Sequence, residues 1–279
     1  MKMDISFSTL RDLSDLSYGK KLLGILESYG FIIDKLEEYE PIRGEFSPER
    51  FEEIWKGRKI GNSDVSSCQI LFKGKQEIRF MCMVGWQSNI FPLYGAINLI
   101  SLWLTVPKKY DLTKLINLAD DIAEWSGAAY GYVSEHSRNI SSRYIQMEGY
   151  SVSMGNIHKG IAGLRWVNYF GEPYLNSDGF HLPEDSVKIG SSARFIVTEK
   201  PDDMRLNDLD FLKTYISQIG KDWFLPFERV EGDKVFLTEE YSASIPSGLD
   251  GAHSIRAQRV PVFDDSEIAD MNKKSKRNK

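Results

Sequence analysis

The chain has 279 residues, of which 42% are hydrophobic, 27% charged and 12% aromatic. That balance excludes an intrinsically disordered chain and leaves ample apolar material for a core. A net charge of -5 provides no basic footprint for non-specific nucleic-acid binding, and two cysteines, Cys68 and Cys82, are too few for a bridge framework. They suit a reducing, cytoplasmic setting, in which both thiols serve as small buried hydrophobes.

The opening segment MKMDISFSTLRDLSD is interrupted by Asp4, Arg11 and Asp12 before an apolar run can form, so no secretory signal is expected. Ile5–Phe7 reads as a short strand. Leu22, Leu23, Leu26 and Tyr29 form a helical stripe that Gly30 stops. Ser47, Pro48 and Glu49 open a second helix over 47–56, with a cap, a proline in the first turn and an acid near its positive end. Phe51, Ile54 and Trp55 are its apolar side.

Period-two alternation then predicts strands near 67–73, 76–85 and 97–106. Cys68, Ile70 and Phe72 share one face, as do Ile78, Phe80, Cys82 and Val84. The hairpin between the first two strands needs an odd loop to keep these faces together. A three-residue loop, Gly74-Lys75-Gln76, would set Phe72 against Ile78, Ile70 against Phe80 and Cys68 against Cys82, with the two thiols close, buried and reduced. Residues 80–107 carry no charge, yet Gln87, Ser88, Asn89, Pro92, Gly95 and Asn98 interrupt them. This stretch reads as sheet core rather than a membrane span.

Asp111 opens a helix over 111–125 whose stripe is Leu112, Leu115, Ile116, Ala119, Ile122 and Ala123. Gly127 ends it. Strands are expected near 128–134, over the segment RWVNYF, and near 193–199. A last helix over 208–219 carries Leu209, Leu212, Ile216 and Ile219. The expected class is α+β, a central antiparallel sheet with helices packed mainly on one face. It forms one domain over 1–265, or two packed halves, followed by a disordered basic tail over 266–279.

Reactive constellations are missing from the sequence. His136, His158, His181 and His253 form no short metal-ligand pair, and no nucleophile elbow, Walker loop or dinucleotide fingerprint occurs. The glycines of GNIHKGIAG have the wrong spacing for a phosphate cradle. No catalytic residue, cofactor or metal is expected. Acids cluster at Asp120, Asp121 and Glu124, at Asp202, Asp203, Asp208 and Asp210, and at Asp264, Asp265, Glu267 and Asp270. Paired carboxylates can transfer protons, but helix N-termini and solvated faces are the commoner setting.

Residues 164–187 are the most informative. Trp166, Tyr169, Phe170, Tyr174 and Phe180 are closely spaced, and Gly171 and Pro173 end a strand. Large aromatics so placed either pack a turn over the core or present a binding surface.

Trp166, Asn168, Tyr169, Phe170, Gly171, Pro173 and Tyr174 spell W-x-N-Y-F-G-x-P-Y, with Gly179 and Leu182 following. This element resembles the immunity proteins of bacterial polymorphic and type VI secreted toxins. ARFIVTEKPDD, the later Lys221-Asp222-Trp223-Phe224 and the central NLISLWL strand are compatible with them. The resemblance implies an α+β fold and a non-catalytic protein of interbacterial competition that binds and neutralises a cognate toxin. Its partner would be that toxin domain, with no nucleic acid and no membrane. If the toxin is a nuclease, carboxylates can mimic phosphate against its basic site. The candidate contacts are Asp178, Glu184 and Asp185 beside the aromatic turn, and Asp202, Asp203, Asp208 and Asp210. The competing readings are an inert structural partner, or a small hydrolase or transferase assembled from distant residues such as His158 and His181 with Asp178 or Asp185.

Overall fold

The computed structural model describes residues 1–59, 65–74, 78–88, 98–107, 109–135, 160–161, 163–204 and 209–224, together with the short stretches 145–147, 150–152, 229–231, 234–236 and 244–246 and residue 249. Strand β1 (Lys2–Thr9) precedes helix α1 (Leu16–Ser28), strand β2 (Lys35–Glu37), helix α2 (Pro48–Trp55) and strands β3 (Arg58–Lys59), β4 (Ser66–Gly74), β5 (Arg79–Gln87) and β6 (Asn98–Thr105). Helix α3 (Leu112–Ser126) leads to strands β7 (Ala128–Glu135), β8 (Ile145–Met147), β9 (Tyr150–Val152) and β10 (Val167–Gly171). The short helix α4 (Glu172–Leu175), strands β11 (Val187–Ile189) and β12 (Ser192–Ile196), helix α5 (Leu209–Ile219) and strands β13 (Arg229–Glu231) and β14 (Lys234–Phe236) complete the described elements.

The helices start and stop where their end residues dictate. Asp15 and Asp111 accept hydrogen bonds from the backbone N–H groups of Ser17 and Thr113, and the Ser47 hydroxyl accepts from Arg50 N. Gly127 closes α3 in the left-handed region at φ 57°, where a side chain would be strained.

One ten-stranded sheet runs in the order β11-β12-β10-β7-β1-β6-β5-β4-β2, with β3 paired to β4, and every ladder in it is antiparallel. The class is α+β, as expected. The opening strand, which the sequence suggests only at Ile5–Phe7, is eight residues long and central. It faces β6 on one side and β7 on the other, so Met3, Ile5 and Phe7 are completely buried. Full burial of each such side chain contributes on the order of 1.5–3 kcal/mol.

These residues share a core with Ile70, Phe72, Phe80, Cys82, Val84, Ile100 and Leu102 of the sheet, and with Leu22, Leu26, Phe51, Trp55, Leu115 and Ile122 from α1, α2 and α3. A second cluster uses the other side of β7, β10 and β12. It joins Tyr130, Phe170 and Phe195 to Tyr174 of α4, Ile216 and Ile219 of α5, and Trp223. Three helices thus cover one face, while α4 and α5 pack over one end of the other.

The β4–β5 hairpin departs from the expected register. Phe72 pairs with Cys82, Ile70 with Val84 and Cys68 with Trp86, and the last pair before the turn is Gly74 with Phe80. The loop is still odd, which preserves the core faces, but longer than three residues. Phe72 lies four residues along β4 from Cys68, so the thiols are offset by roughly 13 Å of strand rather than facing each other. Both are buried free thiols. The strand expected near 193–199 runs Ser192–Ile196, and Val197 N still donates to Trp166 O just beyond it.

Local patterning did not reveal the second sheet, in the order β13-β14-β8-β9, whose β14–β8 ladder is parallel. Its strands are too short to show a period. The predicted basic tail lies outside the described residues. Among these, no helix is long and apolar enough to cross a membrane.

Candidate functional site

Strand β10 carries the aromatic motif, and its alternation sends the motif in two directions. Val167 and Tyr169 enter the first core, and Phe170 enters the second. Trp166, just before the strand, is 2% exposed and donates from Nε1 to Thr198 O at 2.9 Å. Asn168, fully buried, accepts from Arg165 N and donates to Arg165 O, both at 2.8 Å. Its amide satisfies the Arg165 backbone at the bend that leads into β10.

The strand stops at Gly171 as expected. A Cβ there would lie 2.0 Å from Ala128 O, so glycine is needed for the close approach of β7. Pro173 sits in the first turn of α4. Tyr174 is fully buried, with its ring 5.8 Å from Phe170, 5.4 Å from Phe180 and 6.3 Å from Trp223. Trp223 Nε1 donates to Gly179 O at 3.2 Å, and His181 N donates to Ile219 O at 2.9 Å, tying the turn to α5. The motif is therefore packing, not surface.

What it supports is exposed. The connection 172–191 presents Glu172, Asp178, Glu184 and Asp185 to solvent. Two of the four exposed large hydrophobics among the described residues, Leu175 at 37% and Val187 at 45%, lie in the same connection. Beside it opens a cleft of about 360 Å³ lined by Glu172, Pro173, Asn176, Ser177, Ser191 and the Gly127–Ala129 corner.

The other acidic candidates follow β12 in the chain. Asp202 and Asp203 are exposed in a short 3-10 turn, Pro201–Asp203, beyond the far end of β12. Asp208 lies outside the described residues, as does the Asp210 side chain. Asp202 instead meets Glu135 at the end of β7. Burial and the hydrogen bond and charge of Asp202 raise the Glu135 carboxyl above its ordinary range, against a smaller opposite pull from the N-terminal ammonium.

Asp120 and Asp121 have structural partners. Tyr169 Oη donates to Asp120 Oδ1 at 2.8 Å, and Arg194 forms an ion pair with Oδ2 of the same carboxylate. Burial raises Asp120 more than the tyrosine hydrogen bond and the arginine charge lower it. Burial, followed by the Asp120 charge, pushes Tyr169 far above the usual phenol range. Tyr29 Oη donates to Asp121 Oδ2 at 2.8 Å. This network pins α3 to the sheet.

His181 is exposed, and His136, His158 and His253 lie outside the described residues, as do Asp264, Asp265, Glu267 and Asp270. Among the described residues no group of three or more His, Cys, Asp or Glu could hold a metal ion.

Sequence reasoning missed Arg165, whose guanidinium is 4% exposed, stands 5.7 Å over the Tyr132 ring and leaves Nε without a partner among the described residues. Desolvation lowers it, and the nearby Tyr132, Tyr130 and Asp4 restore part of the shift. An arginine one residue before Trp166 in a buried run was the available signal.

No protein-family model matches the chain, and no curated protein matches its sequence. Among solved structures, a T6SS protein of Pseudomonas aeruginosa is similar at 12% identity and a TM-score of 0.49, over 79% of this chain and 76% of that one.

Proposed function

We propose that this chain is a non-catalytic, cytoplasmic immunity protein that binds and neutralises a cognate secreted bacterial toxin, using the connection 172–191 as its contact surface. The observation that carries the proposal is the division of labour around W-x-N-Y-F-G-x-P-Y. Trp166, Tyr169, Phe170 and Tyr174 are buried, while the connection that follows exposes acids together with Leu175 and Val187. A rigid aromatic base limits the entropy lost on binding by the loop above it. Exposed apolar side chains amid carboxylates suit a partner whose site is basic, and the carboxylates would speed encounter.

The immunity reading expects a neighbouring gene for a large secreted protein with a C-terminal toxin domain, and the test uses that domain. Co-purification and rescue of cells expressing that domain are expected. Replacing Asp178, Glu184 and Asp185 with their amides should slow association and flatten its salt dependence, leaving the melting temperature nearly unchanged. Absence of both complex and rescue overturns the immunity reading. A complex whose association ignores salt and these three substitutions overturns the contact surface.

A further inference from the structure

On the side of the sheet away from α1, α2 and α3, alternation turns Leu71, Met81, Met83, Leu99 and Trp103 outward from β4, β5 and β6. None belongs to either hydrophobic cluster of described residues. A cleft of about 350 Å³ opens on this face, with Met81 and Trp103 among its walls and Lys2, Lys73 and Arg79 at its rim. Lys2 and Arg79 are exposed, and Lys73 is half-buried. Five other cations, Lys20, Lys35, Arg50, Arg58 and Arg194, each pair with a carboxylate, whereas none of these three enters an ion pair among the described residues. The cleft's one acid, Asp4, is 6% exposed, and its charge acts on the buried Arg165.

We propose that this cleft binds a segment of a protein partner in which carboxylates flank an apolar side chain. An unneutralised basic rim in a chain of net charge -5 is complementary to acids, and the Met and Trp walls take an apolar anchor. Nucleic acid fits less well, because three cations around an apolar floor supply neither a backbone track nor a row of stacking surfaces. This surface is distinct from the connection 172–191, and the inference stands whether or not the partner of that connection is a toxin.

Trp103 provides the readout. The other five tryptophans, Trp55, Trp86, Trp125, Trp166 and Trp223, are buried, so acrylamide quenching of tryptophan fluorescence reports chiefly on Trp103. The Trp103→Phe variant should lose the quenchable component, which fixes the assignment. Titrating the full chain with the capped peptide Glu-Asp-Leu-Glu-Asp should remove that component saturably, and the double variant Lys2→Glu, Arg79→Glu should abolish the protection at unchanged melting temperature. The proposal is overturned if the peptide leaves quenching unaltered, if the double variant is protected equally well, or if a lysine-substituted peptide, oligo-dT or anionic phospholipid vesicles protect Trp103 as well as the acidic peptide does.

Discussion

At Glu135 a single carboxyl links the acidic surface to folding stability. Its value is raised above the ordinary 4.5 by burial and by Asp202. Between its unfolded and folded values the folded chain therefore holds more protons than the unfolded one. Stability falls as pH climbs through that window, and the penalty is fully present above the folded value. Glu135→Gln removes the ionisation and keeps the shape. The variant should melt at a higher temperature than the parent at pH 7, with the gap closing as pH drops below the ordinary glutamate value. A Glu135→Gln variant that melts lower at pH 7 would mean that the native state needs the carboxylate ionised. Asp120, raised by burial in the same direction, is the opposite case for substitution: its oxygens hold the buried Tyr169 and the half-buried Arg194, so losing them strands both partners.

At the scale of the element, β10 connects the two cores. Tyr169 faces the α1–α3 side with its ring 5.1 Å from Phe7, while Phe170 faces the other with its ring 5.6 Å from Tyr130. Trp166 anchors the start of the strand and Gly171 its end. Replacing Trp166 with Ala should destabilise the chain by about 3–5 kcal/mol, measured by urea unfolding, through lost burial and the cavity left behind. Affinity for the proposed toxin partner, per folded molecule, should change little, since Trp166 is 2% exposed. A variant that keeps its urea midpoint but loses the toxin would turn the motif from a packing element into an interface.

For the whole molecule, the two cysteines report whether the sheet opens as one unit. Cys68 and Cys82 lie on neighbouring strands of the larger core. Burial pushes the Cys68 thiol up to about 12, with the Glu38 charge adding to it, and burial alone pushes Cys82 further in the same direction. Thiolate is therefore scarce at pH 8 in the native state, and reaction with an aromatic disulfide reagent should wait for unfolding. Both thiols are expected to react at one common rate that rises with urea. Fast native reaction of Cys68 alone would show that β4, near the sheet edge, opens separately.

The helices were legible because their determinants are local. Asp15, Ser47, Asp111 and Gly127 each act within one turn of their own position, and the stripe of α3 needs only a 3.6 period. The interior of the strands was legible for the same reason, since Ile70, Phe72, Phe80, Cys82 and Val84 alternate visibly. The parity of the β4–β5 loop followed from those faces, but its length did not, because any odd loop keeps the core residues together. The central place of β1 depends on two partners far along the chain, β6 and β7, and no local pattern names them. The cationic cleft shows the same limit. Met81 and Trp103 sit at strand positions facing away from the core, and only strand order places them beside Lys2, Lys73 and Arg79. The sequence by itself determined the class, the four longer helices, the buried thiols and the aromatic strand, each of which depends on neighbours a few residues apart. Tertiary structure alone decided the register of the hairpin, the central place of β1 and the assembly of the cleft, because each depends on which distant strands pair and how far one slides along another.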